Sequence, residues 1–455
     1  MSTSPSVSLP GETMRRSFMR HRRPSATSEL TSIVNKTRRK SNIASQNSPT
    51  KTKTKAIVTE IPTHSTMDSA SKTPSGNQIS NFGFAFDIDG VLMQKSTPIP
   101  GASECLRYLH DKEIPFILLT NGGGKTESAR IQDLSEKLKV PLTLDNFVQA
   151  HTPFRTLEHL KGKTILVTGG DPIKCREISK SYGFKSVVIP GDLHVHHRSI
   201  WPFHYYPLDD AYRPEDYADD LPKPVREPGV DTEDTLKIDA IFVFNDPRDW
   251  ALDIQIITDL LISRQGYLGT RSNKNGDKSL PNAGWQQDGQ PQIYFSHQDL
   301  HWSTGYHMPR LGQGAFQGAL CGVWDLMTKG KPLVKTTIGK PHAETYFYAE
   351  RVIHHYRKLV LGEEGDRSNK LKRVWMVGDN TNSDIKGAND FSGKSSAQWP
   401  SMLVRTGVWH PERDGEPNPK PTAGIFDDVM HAVKYALEFE TKELGKEGKD
   451  GWTDF

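Results

Sequence analysis

From residue 80 onward the chain repeats one pattern: a short run of β-branched or aromatic residues, then a polar group, then a stretch with helical spacing. That alternation belongs to strands joined by crossover helices, and so to a parallel α/β sheet. "FGFAF" leads into Asp87, "IPFILL" into Thr120 and Asn121, "TTIG" into Lys340, and "VWMVG" into Asp379. In open parallel sheets ligands bind beyond the carboxyl ends of the strands, so these groups are expected to meet in one crevice.

Their charges say what the crevice would hold. Asp87, Asp89, Asp379 and Asp384 would set several carboxylates close together, and a divalent cation is what allows them all to stay ionised. A small number of oxygen ligands suits Mg²⁺, which keeps several of its waters. Lys340 and the Thr120 hydroxyl would add a positive charge and a donor for an anion. The backbone N–H groups of the "TNGGG" turn, with Asn121 and Gly122, would add further donors. A phosphoryl group meets these requirements, because its equatorial oxygens need neutralising while a nucleophile approaches in line.

Each residue also has a plainer reading. A lone Asp-x-Asp at a strand end commonly caps a loop or helix, and Asp384, Asn382 or Ser383 can cap the helix begun by "NSDIKGAND". Lys340, followed by Pro341, can be a solvated loop lysine. Four such groups in order favour the functional reading.

Composition limits the alternatives. The net charge of +3 hides an uneven spread, with twelve Lys and Arg from Arg15 to Lys55 against Glu12 and Glu29. The remainder is mildly acidic and offers no basic face for nucleic acid. Cys105, Cys175 and Cys321 are scattered, which fits a reducing compartment and no disulfide framework. No apolar run approaches the length of a membrane span. Residues 1–79 are rich in Ser, Thr, Lys and Arg and read as a disordered basic leader. "MRRSFMRHRRPS" from Met14 has the composition of a mitochondrial transit segment, while "TRRK" fits a nuclear signal equally well.

The ordered set "DIDGV", "LLTNGG", "GKP" and "GDNTNSD" resembles the four signatures of the haloacid-dehalogenase-like hydrolases. The long interval between the second and third resembles subfamily IIA, which carries a large α/β cap there. "FVFNDPRDWALDIQIITDLL", "FSHQDLHW", "GQGAF" and "GKPHAETY" resemble its cat-eye-syndrome-region-5-like branch, whose members are widely regarded as mitochondrial. The resemblance implies a Rossmann-like hydrolase core over residues 80–161 and 309–440, with the cap over 162–308 and a charged tail over 441–455.

It also implies roles. Asp87 would be the nucleophile that forms an aspartyl-phosphate, and Asp89 the acid and base, with its backbone carbonyl on Mg²⁺. Thr120 and the amide of Asn121 would hold the phosphate. Lys340 would neutralise charge, Asp379 would ligate the metal, and Asp384 would ligate through water or anchor Lys340. The "TNGGG" turn departs from the "TNNS" common in relatives.

Within the cap, "KTILVTGG", "SVVIP" and "IDAIFVFN" read as strands and "DIQIITDLLISRQG" as a helix ending at Gly266. Residues 191–236 form a Pro- and aromatic-rich insert in which His194, His196, His197 and His204 match no zinc signature. Asp249 reads as a helix cap, and Arg248 as a candidate contact for substrate. Tyr306, His307 and Arg310 lie where the chain would re-enter the core. The expected function is a Mg²⁺-dependent phosphatase acting on a small phosphomonoester. A binding or assembly protein with vestigial turnover, and a phosphotransferase using the same aspartyl-phosphate, are the rivals; oligomeric state is not legible.

Overall fold

The computed structural model describes residues 79–203, 235–302, 306, 308–446 and 452, all within one compact unit, Pro62–Phe455. The expected leader up to residue 78, and His204 and His307, fall outside the described residues.

In chain order the strands are β1 (Phe82–Phe86), the hairpin β2 (Met93–Gln94) and β3 (Thr97–Pro98), then β4 (Phe116–Thr120) and β5 (Phe147–Gln149). Next come β6 (Thr164–Thr168), β7 (Ser186–Val188), β8 (Ala240–Val243) and β9 (Gln292–Phe295), a hairpin β10 (His301–Trp302) and β11 (Arg310–Leu311), and β12 (Thr336–Thr337). β13 (Arg373–Gly378), β14 (Ser401–Val404) and β15 (Gly424–Phe426) complete them.

One sheet has the order β15-β14-β13-β1-β4-β5, and every pairing in it is parallel. β1 is buried along its whole length, as a strand covered on both faces must be. Its side chains divide with period two. Phe82, Phe84 and Phe86 pack with Phe116, Leu118, Trp375 and Val377 beneath the helices Ala102–Asp111 and Val429–Lys446. Ala85 turns the other way, with Ile117, Leu119, Val374 and Met376, toward the helix Ala343–Ser368. This is the Rossmann-like α/β core expected from the strand and helix alternation.

A second sheet, β12-β9-β8-β6-β7, is also parallel throughout. It contains the three expected strands and two more, β9 and β12. The helix Gln313–Thr328 inserts Phe316, Leu320 and Trp324 among Ile257, Leu261 and Phe295 of this layer, and β12 pairs with β9. Packing therefore changes near Ile338, not at the boundary of 309 read from the sequence. The helix anticipated to end at Gly266 runs over Trp250–Ile262, because Ser263 turns extended and its hydroxyl accepts from Gly266 N–H at 3.0 Å. Asp249 caps that helix, accepting from Leu252 N–H at 3.1 Å. Within the insert, Pro190–His196 forms a helix secured by the buried Arg176–Asp192 ion pair.

The chain passes from one sheet to the other through residues 149–163. There buried Glu127 accepts from Thr152 and Arg155, and Arg155 stacks 4.6 Å over the Tyr182 ring.

Candidate active site

The carboxyl ends of β1, β4 and β13 lie side by side, and the residues that terminate them face one crevice. Asp87 follows β1, and its N–H continues the ladder to Val377 C=O at 2.9 Å. Lys340 Nζ reaches Asp87 Oδ1 at 2.9 Å and Asp384 Oδ1 at 2.6 Å, and donates to Leu119 C=O at 2.8 Å. Oxygens of Asp87, Asp379 and Asp384 all lie within 4.8 Å of one another.

Local backbone explains how such groups come so close. Asp379 is walled by two glycines: a Cβ on Gly90 or Gly407 would overlap its Oδ2, and Gly90 has φ +95. Val408 N–H donates to the same oxygen at 2.6 Å. Asp384 sits in the tight turn Thr381–Ile385, where it accepts from Asn380 N–H at 3.1 Å. Asn380 is the residue that caps this turn. Asp384 itself therefore serves as partner of Lys340.

Burial, then Asp87 and Asp384, hold the Asp379 carboxyl well above the ordinary carboxylate range. Burial also pushes Asp384 up, against the pull of Lys340. Burial acts to lower Lys340, yet Asp384 and Asp87 outweigh it and keep the ammonium charged. Three carboxyl groups share one ammonium, and oxygen donors so arranged fit a hard divalent cation, which would let them stay ionised together. The Asp89 carboxylate is not among these three: it is half-exposed and lies 3.5 Å from Arg130. Burial of its surroundings raises it, Arg130 opposes this, and Asp87 adds to it.

The residues expected to hold the phosphate end β4 beside them. The Thr120 oxygen accepts from Gly122 N–H at 2.8 Å, which leaves its hydroxyl hydrogen free to donate elsewhere. A Cβ on Gly122 would fall 3.1 Å from that oxygen and 3.4 Å from Asp89 Oδ2, so glycine keeps the gap between them open. The rest of the "TNGGG" turn meets the second sheet. A Cβ on Gly123 would lie 3.3 Å from Asn245 Cβ, and one on Gly124, at φ +94, 2.6 Å from Asn245 Nδ2. The departure from the common motif is thus a close approach of the end of β8.

Arg248 is exposed and lies alongside Gly170; among the described residues no ion pair or hydrogen bond joins it to the carboxylates. Tyr306 is exposed and stacked under Arg310 at 4.5 Å. His194 Nε2 meets Trp201 C=O at 3.2 Å, and His197 Nδ1 meets Ser199 Oγ at 3.1 Å.

Sequence reasoning gave no role to Asp299 or His297. Asp299, on the loop after β9, accepts from Asn121 Nδ2 at 2.9 Å. His297 lies 3.7 Å from both Asp299 and Asp246. "FSHQDLHW" contains both, but nothing in its spacing marks a partner 178 positions away.

A haloacid dehalogenase-like hydrolase family matches residues 84–185, and a HAD-hydrolase-like family matches 337–432. The mitochondrial hydrolase YKR070W of Saccharomyces cerevisiae is 40% identical over 369 residues, covering 78% of this chain and 95% of its own length. A cardiolipin synthase (CMP-forming) / mitochondrial hydrolase fusion protein of Schizosaccharomyces pombe is 40% identical over 82% of this chain and 55% of its own length. Among solved structures, a 4-nitrophenylphosphatase from Thermotoga maritima is similar, with TM-score 0.47 and 16% identity over 78% of this chain and 96% of that one. With a relative so similar along nearly its whole length, and with both family matches resting on the strands that carry the carboxylates and Lys340, this chain belongs to the haloacid-dehalogenase-like hydrolases.

Proposed function

We propose that the protein is a Mg²⁺-dependent phosphatase that hydrolyses a small phosphomonoester through an aspartyl-phosphate on Asp87. The observation that carries this reading is the single buried group made by Asp87, Lys340, Asp379 and Asp384. Asp87, Asp379 and Asp384 would hold the metal, with Asp89 supplying its backbone carbonyl. Bound there, the cation would neutralise charge on the transferring phosphoryl group.

The chain's own residues account for the rest. A carboxylate oxygen of Asp87 attacks phosphorus as the bond from phosphorus to the leaving oxygen breaks. Asp89, raised so that it can hold a proton, gives that proton to the leaving alcohol. It then takes a proton from water, whose oxygen attacks phosphorus, frees phosphate and restores Asp87. The Thr120 hydroxyl, oriented by the Gly122 N–H, and the backbone N–H of Asn121 bind the phosphoryl oxygens, and Lys340 balances the charge beside Asp87.

Two relatives are named as mitochondrial hydrolases, which supports a mitochondrial location for this chain. The fusion of one to a CMP-forming cardiolipin synthase favours a phosphomonoester of the glycerol-phosphate type. The test is phosphate release by the full chain from glycerol phosphates, sugar phosphates and nucleotides, with Mg²⁺ or EDTA, beside Asp87→Asn. Release that needs the metal and vanishes in the variant supports the reading. Folded protein that binds Mg²⁺ and releases nothing from any of them overturns it.

A further inference from the structure

The side chain of Asn121 is fully committed within the protein. Its Oδ1 accepts from Lys340 N–H at 3.0 Å, and its Nδ2 donates to Lys340 C=O at 3.0 Å. The second hydrogen of Nδ2 goes to Asp299 Oδ2 at 2.9 Å. Asn121 thus grips both backbone groups of the residue whose ammonium lies against Asp87. Asp299 is the partner that holds this grip from the second sheet.

The loop bearing Asp299 is itself fixed. Gln313 accepts from His297 N–H at 3.1 Å and donates to Val243 C=O and Ser296 Oγ, each at 3.2 Å. Asp246 accepts from Gln313 N–H at 2.6 Å. The same loop bears directly on the segment ahead of Lys340. Gly339 donates to Ser296 C=O, and a Cβ on Gly339 would lie 2.8 Å from His297 Cβ and 2.9 Å from Asn121 Oδ1. The Asp299 side chain is partly buried, and burial raises its carboxyl while His297 and the Asn121 bond oppose that rise.

We infer that Asp299 is a positioning residue: it holds the Asn121 amide, which clamps the Lys340 backbone, so the second sheet sets the place of the lysine at the reacting centre. The inference rests on the phosphatase reading for its kinetic consequence, but the clamp itself does not. Loss of Asp299 leaves the Asn121 N–H without its acceptor and lets Lys340 shift relative to Asp87. Small displacements of a charge-stabilising group fall on the chemical step more than on binding. The role needs an acceptor oxygen at position 299, and Asn supplies one where Ala does not.

The experiment measures kcat and KM for 4-nitrophenyl phosphate in wild type, Asp299→Ala, Asp299→Asn, Asn121→Ala and the Asp299→Ala/Asn121→Ala double variant, each with its thermal unfolding temperature. Asp299→Ala is expected to lower kcat about tenfold with KM within about twofold, and Asp299→Asn to remain within about threefold of wild type. The double variant should be no slower than Asn121→Ala, since both changes break one clamp. Unchanged kcat in Asp299→Ala, Asp299→Asn as slow as Asp299→Ala, or independent losses in the double variant would each overturn the inference. Should wild type release no phosphate from this substrate, the phosphatase reading is decided by the glycerol phosphates, sugar phosphates and nucleotides above. The clamp is then judged on the unfolding temperatures alone, where non-additive losses support it and additive losses refute it.

Discussion

Lys340 Nζ lies 2.6 Å from Asp384 Oδ1, and both side chains are sealed from solvent. Removing one partner of a buried pair strands the other, a change that costs about 3–5 kcal/mol. Lys340→Met strands two carboxylates, Asp87 and Asp384, and should lower the unfolding free energy by about that much in the absence of metal. Phosphate release should fall at least about a hundredfold, since the charge beside Asp87, the proposed nucleophile, is gone. Urea unfolding and steady-state rates check both; a variant as stable and as active as wild type would show that the pair carries neither burden.

Asp379 is held in the same pocket against its own charge, by burial first and then by Asp87 and Asp384. A cation that binds only the folded chain stabilises it by about 2.7 kcal/mol at a hundredfold excess over its dissociation constant. Mg²⁺ should therefore raise the unfolding temperature of wild type. Asp379→Asn keeps an oxygen for Val408 N–H but removes the charge. It should be more stable than wild type in EDTA and respond little to Mg²⁺. Calorimetry with and without the metal decides, and an equal metal response in both proteins would remove Asp379 from the site.

Gly407 lets the backbone pass directly over Asp379, where a Cβ would overlap the carboxylate. Gly407→Ala must push one or the other aside, at about 1–3 kcal/mol, with loss of activity and of the Mg²⁺ response. Gly393→Ala is the control: nothing lies within 4 Å of its added Cβ, and its stability should stay within about 0.5 kcal/mol of wild type. Parallel measurements on the two variants separate a local clash at the site from a general cost of adding a methyl group.

The residues that share the crevice were legible because a buried parallel strand writes itself as an apolar run, and the first polar residue after it must lie at a carboxyl end. Asp87, Thr120 and Asp379 could be placed in this way, since β13, β1 and β4 pair in register. What stayed hidden came from contacts between the sheets. Neither "TNGGG" nor "FNDP" states that Asn245 will press on Gly124, and no spacing links Asp299 to Asn121. The helix Gln313–Thr328 has an apolar face that fits either layer, so its place beside β9 was settled by Phe316, Leu320 and Trp324 finding room there.

Asp253, on the helix Trp250–Ile262, is 4% exposed, and its carboxyl is pushed to about 7, chiefly by burial, with the Thr168 hydroxyl opposing and Asp249 adding to the rise. Below pH 3.8 the group is protonated whether the chain is folded or not, and it contributes nothing to pH dependence. Between there and about 7 the unfolded chain ionises while the folded one keeps its proton, so this residue erodes stability as pH rises. The erosion levels off above the folded value at about 4 kcal/mol, from roughly three pKa units at 1.36 kcal/mol each. Asp253→Asn has no proton to lose. Its advantage over wild type should grow by about 2–3 kcal/mol between pH 5 and pH 8, read from urea unfolding at each pH. A gap that stays constant across that range would mean that Asp253 ionises in the fold as readily as in the unfolded chain.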